Sequence, residues 1–332
     1  MEEIANRKSQ IANLRTGVIG VGSLGQHHAR NYAEISASGD SEFVGVCDSK
    51  EESGKQIAEK NNCDYFIDWR ELLDLTDAVS IVTPTETHCE IACAFLKKGV
   101  NVLVEKPIAR TLKEADQMIK TADKSGAKLM VGHLERFNPA MVSLRPHVNN
   151  PLYFEIHRVS PFPNRSLDVD VVLDVMIHDL DAIQWLVGEN VKVSEIRAVG
   201  IPVISGKVDA ANARIEFENG AVANITASRI GTEKIRKTRF YQTNAYVVLD
   251  YATKFASLTS LAPNAVHPLL GISINRLTII DKEPLRAEIE AFLNCISENK
   301  TPPITSEDGR RALSLALGVL DKIEAHRIHL NV

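Results

Sequence analysis

Short, mostly apolar segments alternate with longer amphipathic ones over the first part of the chain. Residues 78–83 (AVSIVT) and 101–104 (NVLV) have the composition of strands that are buried on both faces of a sheet. Segments of helical length follow them at 85–98 and 112–125, and Gly99 stands where a helix C-cap is expected. This alternation predicts an α/β fold whose N-terminal part is a doubly wound parallel sheet with right-handed crossovers.

The pattern changes after Gly132, where longer segments with partial apolar alternation begin. Glu218-Asn219-Gly220 predicts a hairpin turn between two of these segments. Strands are predicted at 152–160, 191–203, 210–217, 221–228 and 239–250, and helices at 171–186, 284–298 and 306–325. The sequence therefore predicts a C-terminal α/β domain built on a large, mostly antiparallel sheet. We expect the two domains to span 1–134 and 135–332.

Composition narrows the class of protein. A chain of 332 residues is long for one core, and 44% hydrophobic with 24% charged residues is typical of a soluble globular protein. The net charge of −5 gives no reason to expect binding to nucleic acid or to an anionic membrane. Five irregularly spaced cysteines argue against a disulfide framework, and no apolar stretch resembles a signal peptide or a membrane span. We expect a cytoplasmic protein.

A glycine-rich stretch, Gly20-Val21-Gly22-Ser23-Leu24-Gly25, follows the first predicted strand and opens a predicted helix. In the G-x-G-x-x-G pattern the first glycine makes a tight turn, the second lets phosphates approach the backbone and the third allows close helix–strand packing. The backbone amides of this loop, including those of Ser23 and Leu24, are therefore candidates for binding the pyrophosphate of a dinucleotide.

Asp48 ends the second predicted strand, where a carboxylate that accepts hydrogen bonds from the adenosine ribose is expected. A carboxylate at this position repels a 2′-phosphate, so NAD is favoured over NADP, although Lys50 lies near enough to weaken the preference. The alternative is a structural turn followed by an ordinary surface aspartate.

Glu105-Lys106-Pro107 follows the strand predicted at 101–104, at the edge of the sheet where ligands bind in open α/β folds. A lysine held there can donate to a substrate hydroxyl or to a developing carbonyl oxygen. A solvated lysine before a turn explains the tripeptide equally well when it is considered alone.

Thr83-Pro84 and His88 lie at the end of the neighbouring strand and at the start of the next helix. This loop is expected to run beside the nicotinamide half of a dinucleotide. His88 is also consistent with a helix residue that packs in the first turn.

Asp174 and His178 share a face if 171–186 is helical, since they are four residues apart, and Asp181 follows three residues later. Removing hydride from an alcohol requires a base for the hydroxyl proton, and a histidine oriented by a carboxylate can serve. A surface ion pair between Asp174 and His178 is the alternative.

Metal binding is not predicted. His88, Cys89 and Cys93 lie near one another in sequence, but Cys93 belongs to an apolar segment and no second Cys/His pair has a suitable spacing. The basic stretch at 229–239 is interpreted as a solvated strand edge or hairpin rather than a phosphate site.

Taken together, these motifs resemble the Gfo/Idh/MocA family of oxidoreductases over nearly the whole chain. The matching features are the glycine loop, Asp48, Thr83-Pro84 with His88, Glu105-Lys106-Pro107, Asp174-x-x-x-His178 and Thr305-x-x-Asp308-Gly309. The resemblance implies a Rossmann domain, a second domain with a large open sheet often used for oligomerisation, and chemistry between the two. It also implies that Lys106, Asp174 and His178 form the catalytic set, with Glu105 near the cofactor, and that the protein is a homodimer or homotetramer.

A finer similarity is to family members that oxidise nucleotide sugars, such as the UDP-N-acetylglucosamine 3-dehydrogenases. It lies in residues 132–139 (GHLERFNP) and 168–181. It implies that His133, Arg136, Asn138 and Arg165 line the substrate pocket, whereas each is also compatible with a structural role.

The combined hypothesis is an NAD-dependent dehydrogenase that oxidises a secondary hydroxyl of a sugar or nucleotide sugar, for example the 3-hydroxyl of UDP-N-acetylglucosamine. Two alternatives remain open at this point. One is a dinucleotide-binding sensor or regulator without turnover, and the other is a reductase of a non-sugar carbonyl.

Overall fold

The computed structural model describes residues 14–162, 169–261 and 271–330. The chain divides into two compact units. The first contains residues up to His133 together with Pro284–Arg310, and the second contains Leu134–Glu283 and the residues from Arg311 onward.

The helices of the described residues have the following bounds: α1 (Gly25–Ala37), α2 (Glu51–Asn61), α3 (Thr85–Lys97), α4 (Leu112–Ser125), α5 (Pro139–Leu144), α6 (Ile177–Val187), α7 (Pro284–Ser297) and α8 (Ser306–Leu330). None of these helices is both long and apolar enough to span a membrane.

The sheet of the first unit has six parallel strands in the described residues, in the order β3-β2-β1-β4-β5-β6. Their bounds are β1 (Arg15–Ile19), β2 (Glu42–Cys47), β3 (Asp64–Phe66), β4 (Ala78–Ile81), β5 (Asn101–Glu105) and β6 (Leu129–Gly132). The strand order reverses between β1 and β4, and such a switch point places a crevice at the carboxyl ends of the strands. The predicted doubly wound sheet is confirmed.

The first unit also takes in a late segment of the chain. The division after His133 lies beside the boundary predicted at 134, but residues 284–310 had been assigned to the second domain. In the structure α7 packs against α1, with Arg286 and Glu34 3.6 Å apart, and so belongs to the first unit. The local sequence does not indicate that residues 284–310 pack back onto the first unit.

The sheet of the second unit has eight strands in the described residues, in the order β14-β13-β12-β11-β7-β10-β9-β8, and β7 and β10 are its parallel pair. Their bounds are β7 (Pro151–Val159), β8 (Val193–Ile201), β9 (Ala210–Phe217), β10 (Val222–Ser228), β11 (Ile235–Gln242), β12 (Ala245–Asp250), β13 (Phe255–Leu261) and β14 (Ile272–Arg276). The predicted large, mostly antiparallel sheet is confirmed.

The prediction of one strand at 239–250 was wrong. The chain forms a hairpin there, with Asn244 at a φ of 67° between β11 and β12. Asparagine tolerates this left-handed conformation, but a single asparagine is a weaker turn signal than the glycine at 220. Strands β13 and β14 and helix α5 were not predicted.

Alternation along the strands places the core of the second unit on one face of its sheet. In β9 the side chains of Ala211, Ala213, Ile215 and Phe217 are buried, and those between them are not. The buried residues pack with apolar side chains of α6 and α8 in one cluster. Helix α6, which carries His178, therefore packs against the sheet through this apolar core.

A buried arginine fixes the segment that leads into α6. Arg229 and Asp209 are fully buried, and their Nε and Oδ1 atoms are 2.9 Å apart. Arg229 also donates through Nη1 to the carbonyl oxygen of Val169 at 2.7 Å, while the Val208 amide donates to Asp170 at 2.9 Å. The expectation that Arg229 belongs to a solvated strand edge was wrong, because the residue fills an internal site.

Asp209 remains charged in this cluster. Burial by itself would raise the pKa of Asp209, but hydrogen bonds from the Ile204 and Ser205 amides, the Ser205 hydroxyl and Arg229 lower it well below its usual range. The cluster is therefore an ion pair at neutral pH.

We predict that Arg229→Met destabilises the second unit by about 3–5 kcal/mol, because it leaves a buried carboxylate without its cation. Arg214→Met is the matched control, since Arg214 and Glu216 form a half-exposed pair at 3.0 Å and such pairs contribute about 0–1 kcal/mol. Urea unfolding followed by Trp185 fluorescence in a Trp69→Phe background measures both. Equal losses in the two variants would contradict the anchoring role.

Candidate active site

The glycine loop joins β1 to α1 and leaves backbone exposed. Gly20 has a φ of +84°, and a Cβ on it would lie 2.7 Å from the carbonyl oxygen of Val82. A Cβ on Gly25 would lie 1.8 Å from the Gly20 carbonyl oxygen, so only glycine allows α1 to begin this close to the strand. Around Gly22 nothing lies within 4 Å of the Cβ position, and no side chain caps the first turn of α1 in the described residues. The loop therefore allows a phosphate group to approach the backbone around Gly22 and the first turn of α1.

Asp48 lies beside this loop, at the carboxyl end of β2. Its Oδ2 accepts a hydrogen bond from the Val21 amide at 2.8 Å, and its Oδ1 accepts one from the Lys50 amide at 2.8 Å. The Tyr65 hydroxyl donates to the Asp48 carbonyl oxygen at 2.9 Å. Asp48 is thus held against the loop with its carboxylate partly exposed, as expected for a group that binds ribose hydroxyls.

His88 connects the loops that follow β4 and β5. The ring is buried in the first turn of α3, with Nε2 2.9 Å from the Thr83 carbonyl oxygen and Nδ1 3.0 Å from that of Pro107. Burial lowers the pKa of His88, whereas the contacts of its two ring nitrogens with carbonyl oxygens act in the opposite direction. This geometry matches the alternative of a packed helix residue, and it leaves Thr83 and Pro84 as the more exposed members of the predicted cofactor group.

Lys106 is partly exposed and follows a buried carboxylate at the end of β5. The Lys106–Pro107 peptide bond is cis. Glu105 Oε2 accepts from the Lys106 amide at 3.2 Å, and Glu105 Oε1 is 3.1 Å from Nε2 of His28 in α1. The carboxylate of Glu105 therefore connects the lysine turn to the helix that opens at the glycine loop.

The charge of Glu105 is stabilised from two directions. Burial by itself would raise the pKa of Glu105, but the contact with His28 and the charge of Lys106 lower it below its usual value. Sequence reasoning did not identify His28 as a partner. The available signal was a histidine one turn after Gly25, on the apolar side of a cofactor-binding helix.

Asp174 and His178 lie on either side of a change in helix type in the second unit. Residues Val172–Met176 form a π-helical turn, and α6 begins at Ile177. The helix predicted at 171–186 is confirmed, and its first part is a π-helical turn rather than an α-helix. Both side chains are partly exposed. π-Helical turns inside helices often occur at functional sites.

Two buried ion pairs hold α6 immediately after His178. Asp179 accepts from Nε and Nη2 of Arg158, both at 2.8 Å. Asp181 accepts from Nε of Arg136 at 2.9 Å and from Nη2 at 2.6 Å. Bidentate ion pairs of this kind are directional as well as electrostatic. They therefore hold α6 at two positions next to His178. Asp181, considered above as a neighbour of His178, has an arginine as its partner.

The other predicted substrate residues lie near the start of the second unit or outside the described chain. His133 is buried and ends the first unit. Asn138 caps α5 by accepting from the Ala140 amide at 3.1 Å, and it donates to the Tyr251 carbonyl oxygen at 3.2 Å. Arg165 is not among the described residues. Arg136 and Asn138 thus have intramolecular partners, and a substrate contact from either one stays a prediction.

Metal ligation finds no support in the described residues. No group of three or more His, Cys, Asp or Glu side chains in ranges 14–162, 169–261 and 271–330 is arranged to hold an ion. The five cysteines are free thiols, and Cys93 contacts Thr121.

Comparisons with known proteins agree with this arrangement. Residues 14–133 match the model of an oxidoreductase family with an NAD-binding Rossmann fold, and residues 144–248 match that of the GFO/IDH/MocA C-terminal domain. UDP-N-acetylglucosamine 3-dehydrogenase from Acidithiobacillus ferrooxidans is 38% identical over 94% of this chain and 98% of that protein. Myo-inositol 2-dehydrogenase from Thermotoga maritima is 27% identical over 95% and 97%.

Solved structures give the same result for the fold. A crystal form of the Acidithiobacillus ferrooxidans dehydrogenase has a TM-score of 0.87 at 37% identity and covers 94% of this chain and 98% of its own. A levoglucosan dehydrogenase in complex with NADH and levoglucosan has a TM-score of 0.84 at 20% identity, covering 94% and 98%. The chain belongs to the GFO/IDH/MocA family of NAD-binding oxidoreductases.

Proposed function

We propose that the protein is an NAD-dependent dehydrogenase that oxidises the 3-hydroxyl of UDP-N-acetylglucosamine to a ketone. The observation that carries this proposal is the 38% identity, across almost the full length of both chains, to an enzyme named for that reaction. The resemblance to the family also assigns Lys106, Asp174 and His178 to a catalytic set, which a sensor without turnover has no need to retain.

The first unit supplies the cofactor contacts in this proposal. The exposed amides of the glycine loop hold the pyrophosphate, and Asp48 accepts from the adenosine ribose hydroxyls. When bound, NAD supplies the acceptor for the hydride that leaves the sugar carbon. Lys106 donates a hydrogen bond to the substrate oxygen and stabilises the charge that develops there.

The second unit supplies the base. His178 accepts the hydroxyl proton as the carbon–hydrogen bond breaks, and Asp174 holds the tautomer that leaves a ring nitrogen free to accept. The paired Arg158–Asp179 and Arg136–Asp181 clamps hold the first turn of α6 during this step. Hydroxyl oxidation thus yields a ketone, one proton and one hydride.

We also propose that the enzyme works in the cytoplasm as a homodimer or homotetramer. The free thiols of all five cysteines are consistent with a reducing compartment. The half-exposed face of an eight-stranded sheet is a suitable surface for self-association, and native mass spectrometry measures the stoichiometry.

Purified protein is expected to reduce NAD with UDP-N-acetylglucosamine and to turn over myo-inositol, levoglucosan and free N-acetylglucosamine at least about tenfold less efficiently, since binding energy from the nucleotide is used in the transition state. Absorbance of the reduced cofactor measures kcat/KM, and mass spectrometry of the product reports loss of two hydrogens. Turnover of myo-inositol in preference to the nucleotide sugar would refute the proposed substrate, and reduction of NAD by none of the compounds would favour a sensor.

His178→Ala is expected to lower kcat by about 10²–10⁴-fold, because it removes the general base. NADH affinity, measured by cofactor fluorescence, should not change. The matched control is His147→Ala, whose exposed side chain lies in the same unit. A His178→Ala enzyme with near-normal turnover would eliminate the assigned base.

Asp48→Asn is expected to raise the KM for NAD and to shift the NADP/NAD preference by about tenfold or more towards NADP. The amide keeps one of the two acceptors used by the Val21 and Lys50 N–H groups, and it removes the charge that binds ribose hydroxyls and repels a 2′-phosphate. Asp64→Asn, at the exposed opposite end of the neighbouring strand, is the control. Unchanged cofactor preference would show that Asp48 does not face the ribose.

A further inference from the structure

The basic stretch at 229–239 contains a second arginine, Arg236, at the start of β11. Side chains alternate between the two faces of a strand, so Arg236 lies on the same face as the buried side chains of Thr238 and Phe240. This is the face of the sheet that α6 covers, since Phe240 belongs to the same apolar cluster as residues of that helix. Lys237 lies on the opposite face.

The register of the sheet brings Arg236 close to the residue that follows His178. Arg236 is opposite Arg158 in the antiparallel pair of β11 and β7, where Cα atoms are about 5 Å apart. Nε and Nη2 of Arg158 donate to Asp179, both at 2.8 Å. One cross-strand pair and one ion pair thus connect Arg236 with the first turn of the helix that carries the candidate base.

The charges of this cluster are arranged so that a cation is its most exposed member. Oε1 of Glu135 accepts from Nη1 of Arg158 at 2.7 Å and is 4.0 Å from Nη1 of Arg236. The side chain of Glu135 is 12% exposed, and those of Arg158 and Asp179 are buried, whereas that of Arg236 is 42% exposed. The two carboxylates therefore bind the inner arginine, and the outer arginine faces solvent.

The ion pair with Glu135 does not by itself account for Arg236. A separation of 4.0 Å is too long for a hydrogen bond, and a partly exposed ion pair contributes little to stability. The more deeply buried Glu135 attracts the guanidinium and keeps it near the rim of the cluster. A planar guanidinium held there has the geometry that binds two oxygens of a phosphate group at once.

We propose that Arg236 binds the diphosphate of the nucleotide sugar and thereby selects this substrate over a free sugar. The proposal rests on the proposed function, since a UDP-sugar carries its diphosphate directly on the ring that is oxidised. Two parallel hydrogen bonds from the guanidinium to phosphate oxygens hold the substrate in the second unit, which also supplies His178. The basic stretch then has two roles, because Arg229 anchors the core and Arg236 binds the ligand.

Binding of UDP to protein that is saturated with NADH tests this assignment without turnover. The bound cofactor prevents UDP from occupying the glycine loop through its own diphosphate. Arg236→Gln is expected to weaken UDP binding by about ten- to hundredfold, because it removes charge-assisted hydrogen bonds, and to leave the affinity for uridine unchanged. Arg236→Lys keeps the charge without the planar geometry and should give an intermediate affinity. Isothermal titration calorimetry measures all of these affinities.

Lys237→Gln is the matched control. Lys237 is the next residue in the same strand, its side chain is 40% exposed, and it pairs with Asp250 at 3.5 Å on the opposite face of the sheet. This variant should bind UDP as the wild type does. A general loosening of the strand by Arg236→Gln would weaken uridine and UDP binding alike, so the ratio of the two affinities separates a phosphate contact from a structural effect.

Steady-state kinetics give a second readout. Arg236→Gln should lower kcat/KM for UDP-N-acetylglucosamine by about the same factor and leave kcat/KM for free N-acetylglucosamine unchanged. Equal UDP affinities in wild type and Arg236→Gln, or no UDP binding by the wild type, would overturn the proposal. If UDP binding depends on Arg236 but the wild type oxidises no nucleotide sugar, the proposed reaction fails and the diphosphate contact stands.

Discussion

The buried contact between His28 and Glu105 joins two parts of the first unit that must keep a fixed relation. His28 lies in the helix that opens at the glycine loop, and Glu105 ends the strand that carries Lys106. Because the Glu105 carboxylate is almost fully buried, water cannot replace the histidine as its partner. A shift of the helix or the strand would leave a buried charge without a partner, which would destabilise the fold. One buried contact therefore connects the helix that opens at the glycine loop with the strand that ends before Lys106.

In the second unit, buried charged pairs also hold the helix that carries a candidate catalytic residue, but here the pairs are between arginine and aspartate. His178 is followed by Asp179 and Asp181, which pair with Arg158 and Arg136 in sites that exclude water. Buried ion pairs of this quality add little net stability compared with apolar packing, but losing one partner is expensive. They consequently fix the orientation of α6 more than they strengthen the fold. A π-helical turn just before the histidine, which costs regular hydrogen bonding, persists in the same segment.

The fold could be predicted from the sequence wherever the signal was local. The apolar strands of the first sheet, the glycine loop and the helix at 112–125 appear in the structure where their patterns placed them. The membership of 284–310 in the first unit and the hairpin at Asn244 were missed, because one depends on a contact between distant segments and the other on a single weak turn residue. The periodicity of apolar residues reports neither contacts between distant segments nor a turn made by a single asparagine.

In the candidate site, too, the sequence predicts which residue types are present but not which residues contact each other. Motif spacing together with the family resemblance predicts Lys106, Asp174 and His178 as the catalytic set. Spacing could not say which side chain each carboxylate contacts. Asp181 was considered beside His178 on helical spacing, whereas its oxygens accept from Arg136, 45 positions earlier in the chain. Arg229 was interpreted as solvated because its neighbours in sequence are basic, whereas its charge is neutralised by Asp209 in the core. In each case a charged side chain is buried because a counter-charge from a distant position in the chain meets it, and only the tertiary fold brings the two together.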